Sequence, residues 1–281
     1  MTMSAVLDDG PEVGNSAPLS PCPACGSTAA DAIEVMRVHE QHLAYMQGDT
    51  RAAQRLDQAL GHAMTAYDMH RCRQCRLEFS NPPLAPAQAW YAELYGRLPL
   101  YPSERWEYAA ARDSFAPQDT VVDYGCGSGL FLLSVRDRVR HAFGFDFSRA
   151  AVEAAAGQGL RAHVLDLDVR NRGTPLPVPA NHVTAFHVLE HLARPESLFH
   201  FAEAVAGPSA RLWVAVPSDR RASRVYAEPD ALDAPPHHLT RWTEASLREI
   251  GRRHGWVLEQ HLYEPLAAST AVWEATRRLP I

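Results

Sequence analysis

Residues 121 to 129 read Val121-Val122-Asp123-Tyr124-Gly125-Cys126-Gly127-Ser128-Gly129, and lead directly into the apolar run Leu130-Phe131-Leu132-Leu133. The pattern is that of a buried strand passing through a glycine loop into a helix. A backbone that turns this sharply, and lets a ligand lie close against it, needs residues without side chains. The stretch reads as a nucleotide-cofactor loop in an α/β sheet, and Asp123 decides its ligand. A dinucleotide would set its pyrophosphate against the loop and the helix N-terminus, where a fixed carboxylate repels it. Leu130 also stands where the fingerprint GxGxxG needs its third glycine. A ligand bearing positive charge turns Asp123 into an attraction.

Strands and helices follow in alternation. His141 to Asp146 reads as a second strand ending in an acid, with the ring of Phe147 next to it, and residues 149 to 158 as an alanine-rich helix. Arg161 to Asp166 is a third strand and Val183 to His187 a fourth, which runs into Val188-Leu189-Glu190-His191-Leu192. Arg211 to Val216 is a fifth strand. A loop holding Pro235-Pro236-His237-His238, a helix from Thr243 to Arg253 and a strand from Trp256 to Tyr263 complete the series.

This series resembles the class I S-adenosylmethionine (SAM)-dependent methyltransferases over about residues 115 to 265, and Leu189-Glu190-His191 is similar to a signature of the branch that modifies small molecules. The resemblance implies a Rossmann-like sheet with helices on both faces and a SAM site built from Asp123, Tyr124, Gly125, Cys126, Gly127 and Gly129. It further implies ribose hydroxyls on Asp146, adenine on Phe147 with its edge at Asp166 and Leu167, and His187 beside the cofactor. SAM carries an amino group and a sulfonium, in keeping with Asp123. One departure is Asn181-His182, which replaces the usual Phe-Asp at a structural position.

Methyl transfer is an in-line displacement in which the protein positions both reactants and supplies a base where the acceptor carries a proton. Ligands of open α/β sheets bind at the carboxyl ends of the strands, so the candidate catalytic residues are His187, Glu190, His191, His237 and His238. Histidine titrates near working pH, which suits a base. His191 also has a packing reading within its signature. A magnesium or manganese site formed by Glu190, His191 and the 237–238 pair is the other use of these side chains.

Four of the five cysteines form two CxxC pairs, Cys22/Cys25 and Cys72/Cys75. In a cytosolic chain such pairs read as a structural zinc site with four thiolates. Redox dithiol chemistry is the alternative, yet neither pair follows a strand in a thioredoxin-like pattern. The surrounding residues, including Phe79-Ser80-Asn81-Pro82, resemble the zinc-ribbon module fused in front of this methyltransferase branch. The gap of 46 residues between the pairs is long for a ribbon. Helical periodicity over Asp31 to Met46 and Asp49 to Tyr67, broken at Gly48, predicts an inserted helical hairpin. Within it, His39-Glu40-Gln41-His42 falls one residue short of HExxH and reads as helix surface.

The expected organisation is a disordered tail (1–20), a zinc-binding module (21–82), a helical lid or linker (83–115) and the SAM-binding domain (116–281). Trp90, Tyr91, Tyr95, Tyr101, Trp106 and Tyr108 either cover the cofactor or pack between modules. Ala268 to Arg278 reads equally as a last helix or a seventh strand. No apolar run reaches membrane-span length and no secretory signal opens the chain, so a cytoplasmic location is expected. A net charge of −6, with arginines in short clusters such as Arg220-Arg221 and Arg252-Arg253, disfavours nucleic acid and leaves a small molecule as the expected partner. An RNA methyltransferase using the zinc module for RNA contact, and a non-catalytic SAM-binding zinc scaffold, are the alternatives. Oligomeric state leaves no trace in the sequence.

Overall fold

The computed structural model describes residues 18–98, 105–165, 176–218 and 230–264. Most of the N-terminal tail, Tyr101, Asp166, Leu167, Arg220-Arg221 and the segment Ala268 to Arg278 lie outside the described residues. The elements run β1 (Ala30–Arg37), α1 (Val38–Tyr45), α2 (Thr50–Ala59), β2 (Ala66–Cys72), β3 (Glu78–Asn81), α3 (Gln88–Tyr95) and α4 (Trp106–Arg112). They continue β4 (Thr120–Tyr124), α5 (Leu130–Val135), β5 (His141–Asp146), α6 (Arg149–Gly157), β6 (Arg161–Val164) and β7 (Ala180–Phe186). A short 3-10 turn (Leu189–His191), α7 (Glu196–Val205), β8 (Ala206–Ala215), β9 (Thr240–Arg241) and α8 (Glu244–Arg253) follow.

Two compact units result, the first from Met1–Pro99, Glu190–Glu196 and Asp219–Ile250, the second from Leu100–Leu189, Ser197–Ser218 and Gly251–Ile281. The second unit holds a five-stranded parallel sheet in the order β6-β5-β4-β7-β8 with helices around it. This is the Rossmann-like arrangement implied by the resemblance. β4 is buried along its whole length, as a central parallel strand must be. Val121 packs with Phe131, Val135 and Val139 in one cluster, while Leu132 joins Ala155 and Leu160 in another. The substituted pair Asn181-His182 has structural partners: Asn181 Oδ1 accepts the Thr120 N–H at 2.9 Å, and His182 Nε2 pairs with Asp119 at 3.1 Å. The Trp256 to Tyr263 segment is not a strand; it pairs with none among the described residues, and Val257 is 83% exposed.

The first unit is built on a four-stranded antiparallel sheet, β1-β2-β3-β9. Helices do form between the cysteine pairs, but only over α1 and α2. Asp49 caps α2, its carboxylate accepting the N–H groups of Arg51 and Ala52 at 3.0 Å. The expected helix from Asp31 begins instead with β1. A bulge lies between Ala32 and Glu34, and the less exposed positions recur every third residue, at Ala30, Ile33 and Met36. That spacing imitates a helix in sequence. Alternate Ile33 and Val35, both β-branched, favour the strand.

Candidate functional site

The glycine loop joins β4 to α5, with Gly125, Gly127 and Gly129 all at positive φ. At Gly125 a Cβ would fall 2.3 Å from Val188 Cγ2, so the loop has no room for a side chain there. At Gly127 a Cβ would meet nothing within 4 Å, leaving open space above the backbone where a ligand can lie. Asp146, at the end of β5, ties the loop down: Oδ2 accepts the Gly127 N–H and Oδ1 the Ser148 N–H, both at 2.8 Å. Each carboxylate oxygen keeps a second lone pair, so both remain able to accept hydroxyls. Burial pushes the Asp146 carboxyl above its ordinary range.

Asp123 is fully enclosed and accepts the Thr184 hydroxyl at 2.7 Å. Burial, with a smaller contribution from the nearby charge of Asp146, raises its pKa to about 7. Tyr124 is buried against Phe201, and burial also raises the Cys126 thiol. Phe147 is 36% exposed. These residues could hold a nucleoside whose other end is cationic.

His187 follows β7 with φ of 55°, a strained value for a side chain of this size. Its Nε2 lies 2.8 Å from Glu107 Oε1 on α4. Burial is the largest single effect and raises the Glu107 carboxyl, but the hydrogen bond from His187, a backbone hydrogen bond and the charges of His187 and Arg105 together outweigh it, and the net shift is downward. An ionised Glu107 accepts the Nε2 hydrogen and places the imidazole lone pair on Nδ1.

In the first unit the four cysteines converge. Cys22 and Cys75 Sγ are 3.6 Å apart, Cys25 and Cys72 Sγ 3.5 Å, and all four lie within 4.8 Å of one another. Thiolates about 2.3 Å from a tetrahedral zinc stand roughly 3.8 Å from each other, so the four sulfurs fit that ion. Both pairs use the same turn. Cys22 N–H donates to Ser27 O and Gly26 N–H to Cys22 O, while Cys72 N–H donates to Leu77 O and Arg76 N–H to Cys72 O. The residue after the second cysteine is left-handed in each, Gly26 at φ 76° and Arg76 at 66°. The Cys22–Cys75 pairing draws the Cys22 thiol down and holds the Cys75 thiol up, while burial raises Cys25.

The first unit also gathers His191, His237 and His238, with ring centres 4.5 to 4.7 Å apart. Glu190 is buried, and its carbonyl accepts the Leu239 N–H at 2.8 Å. Tyr45, Trp90 and Tyr95 surround His237, so these aromatic residues pack within the first unit. His42, expected on a helix surface, is fully buried; it pairs with Asp57 at 2.6 Å and accepts the Trp90 indole N–H at 2.9 Å. An apolar wall of α3 meets that side of α1, which the local spacing could not reveal. Tyr108 instead packs in the second unit on Phe131 and Phe186.

A family model described as a methyltransferase domain matches residues 87–261, well over half of the chain. The chain belongs to the methyltransferase-domain family. Solved structures that it resembles include magnesium protoporphyrin IX methyltransferase from Synechocystis with bound SAH, at 19% identity over 55% of this chain and 71% of that one, with a TM-score of 0.43. The amino pentose methyltransferase CalS10 from Micromonospora echinaspora matches at 24% identity over 47% of this chain and 57% of that one, TM-score 0.34. The YcgJ protein from Bacillus subtilis matches at 17% identity, TM-score 0.34, over 38% of this chain. The chain spans about half the length of that last protein, 49%. No curated protein sequence matches.

Two polar residues of the methyltransferase domain carried no motif. Thr184 is a mid-strand threonine, marked only by its place opposite Asp123 in the β4–β7 register. Glu107 is the one acid in the helix Trp106–Arg112, and its partner lies 80 residues away. Among the described residues, no helix is long and apolar enough to cross a membrane.

Proposed function

We propose that the chain is a SAM-dependent methyltransferase acting on O, N or C of a small molecule. The observation that carries this is the pairing of Asp146 with the Gly127 N–H beneath the open face of the loop, with the enclosed Asp123 nearby. Asp146 takes the ribose hydroxyls, Phe147 stacks on the adenine, and Asp123 draws in the amino group. SAM supplies an electrophilic methyl group. The acceptor lone pair forms the new bond to the methyl carbon as the carbon–sulfur bond breaks, leaving its electrons on the sulfur of S-adenosylhomocysteine.

Where the acceptor carries a proton, His187 Nδ1 takes it and Glu107 stabilises the imidazolium. His237 suits that task less well, because burial and the neighbouring His238 and His191 hold its pKa well below the ordinary value. The four cysteines hold a structural zinc ion that fixes the two turns of the first unit. A net charge of −6 favours a small-molecule acceptor over a polyanion.

The test is transfer of labelled methyl from SAM by purified protein into a cell extract divided into small-molecule, RNA and protein fractions. Label in the small-molecule fraction supports the reading. Label confined to RNA or protein replaces the acceptor class, and no label in any fraction counts against the activity.

A further inference from the structure

We propose that His191, His237 and His238 form a second metal site, for a divalent transition-metal ion of the zinc class. The three side chains present ligand nitrogens within 4.8 Å of one another. Each ring is oriented by an acceptor at Nδ1. His191 Nδ1 donates to the His237 carbonyl at 2.7 Å, His237 Nδ1 to the Leu232 carbonyl at 2.8 Å, and His238 Nδ1 to Asp233 Oδ1 at 3.1 Å. A neutral imidazole that donates through Nδ1 carries its lone pair on Nε2, so the three tautomers present Nε2 as the coordinating atom. This is the outer-shell pattern by which proteins aim histidine ligands, including one carboxylate–histidine pair. Asp233 is itself held, its carbonyl accepting Arg241 Nε at 2.6 Å.

The ring separations agree with coordination. An imidazole bound through Nε2 at about 2.1 Å sets its centre roughly 3.2 Å from the ion, so neighbouring ligands at 90 to 109° have centres about 4.5 to 5.3 Å apart. The observed separations are 4.6, 4.7 and 4.5 Å, and because the His237 and His238 rings are stacked at 18°, one of the two turns out of the stack when both bind the ion. His237 and His238 are buried and His191 is partly exposed, which gives the cluster one side of entry. Tyr95 Oη stands 3.2 Å from His237 Nε2 and gives up that hydrogen bond when the ion enters. Three imidazoles favour zinc, iron or nickel over magnesium, which prefers oxygen. The site rests on the rings alone and is independent of the methyl-transfer reading.

Cobalt distinguishes this site from the cysteines, because thiolate ligation gives a strong near-ultraviolet sulfur-to-cobalt band and nitrogen ligation does not. The zinc-loaded full-length chain is titrated with Co2+ in metal-free buffer, with bound metal counted by mass spectrometry. The expected result is one cobalt per chain beyond the first zinc, without the sulfur band. His191→Gln and His238→Gln should lose it while keeping the first zinc, Asp233→Asn should weaken it about 10- to 100-fold, and Tyr95→Phe should retain it. A wild-type chain that binds no second ion, or that takes cobalt only with the sulfur band, overturns the proposal whether or not the variants fold. Cobalt retained by both glutamine variants also overturns it.

Discussion

The Gly127 N–H donates to Asp146 Oδ2 at 2.8 Å, so the middle glycine of the loop and the acid that closes the second parallel strand form one device. Removing the charge with Asp146→Asn weakens both the loop anchor and the ribose contact. Hydrogen bonds to charged groups contribute about 1.5 to 3 kcal/mol, so SAM affinity is expected to fall roughly 10- to 100-fold by calorimetry. Unchanged affinity would place the ribose elsewhere.

Asp123 gives the chain a pH dependence. Its folded pKa, about 7, lies above the ordinary 3.8. A raised acid contributes stability that is complete below about pH 4 and is lost as pH rises through its folded pKa. The ligand-free chain should therefore lose this contribution between about pH 4 and pH 7, while SAM affinity, which uses the ionised carboxylate, should rise between about pH 6 and pH 8. Asp123→Asn should flatten both curves. Denaturant midpoints and calorimetry across that range decide it.

Arg76 occupies the left-handed position that glycine fills in the other cysteine turn. Left-handed backbone costs a side-chain-bearing residue about 1 to 2 kcal/mol, part of which glycine returns as chain entropy. Arg76→Gly is expected to stabilise the zinc-loaded chain by about 1 kcal/mol and to slow zinc release to a chelator. Faster release would mean that the arginine side chain contributes more than its backbone costs.

His187→Asn should lower kcat about 100-fold or more while SAM affinity stays within about threefold, because a general base contributes about 10²- to 10⁴-fold. Glu107→Gln should produce a smaller loss of the same kind. If SAM affinity drops in step with kcat, His187 is a cofactor contact and the base lies elsewhere.

The second unit was legible because its signals are local. A run of nine residues states the loop, and Asp123, Asp146 and the glycines fall where that reading put them. The CxxC pairs were equally plain, since each turn is complete within six residues. Long-range pairing was not legible. Thr240 and Arg241 form a strand only because Phe79 and Glu78 lie opposite them, and nothing near either segment announces the other. The strand at Ile33 was hidden because its less exposed positions, Ala30, Ile33 and Met36, fall three apart. Glu107 was missed because a lone acid on a short helix resembles any solvated residue until its histidine is seen.

The strand β9 also bears on how the chain is made. Residues 22 to 81 supply both cysteine turns and three of the four strands, but Arg241, which reaches Glu34 at 2.6 Å and Glu78 at 3.2 Å, is synthesised more than 150 residues later. On the ribosome, the early portion therefore waits with an unpaired sheet edge while the parallel sheet is translated. The zinc proposed for the four thiolates would hold that nascent piece together until its last strand emerges. Scarcity of the metal should be felt first in the yield of newly made protein, before it is felt in the mature chain.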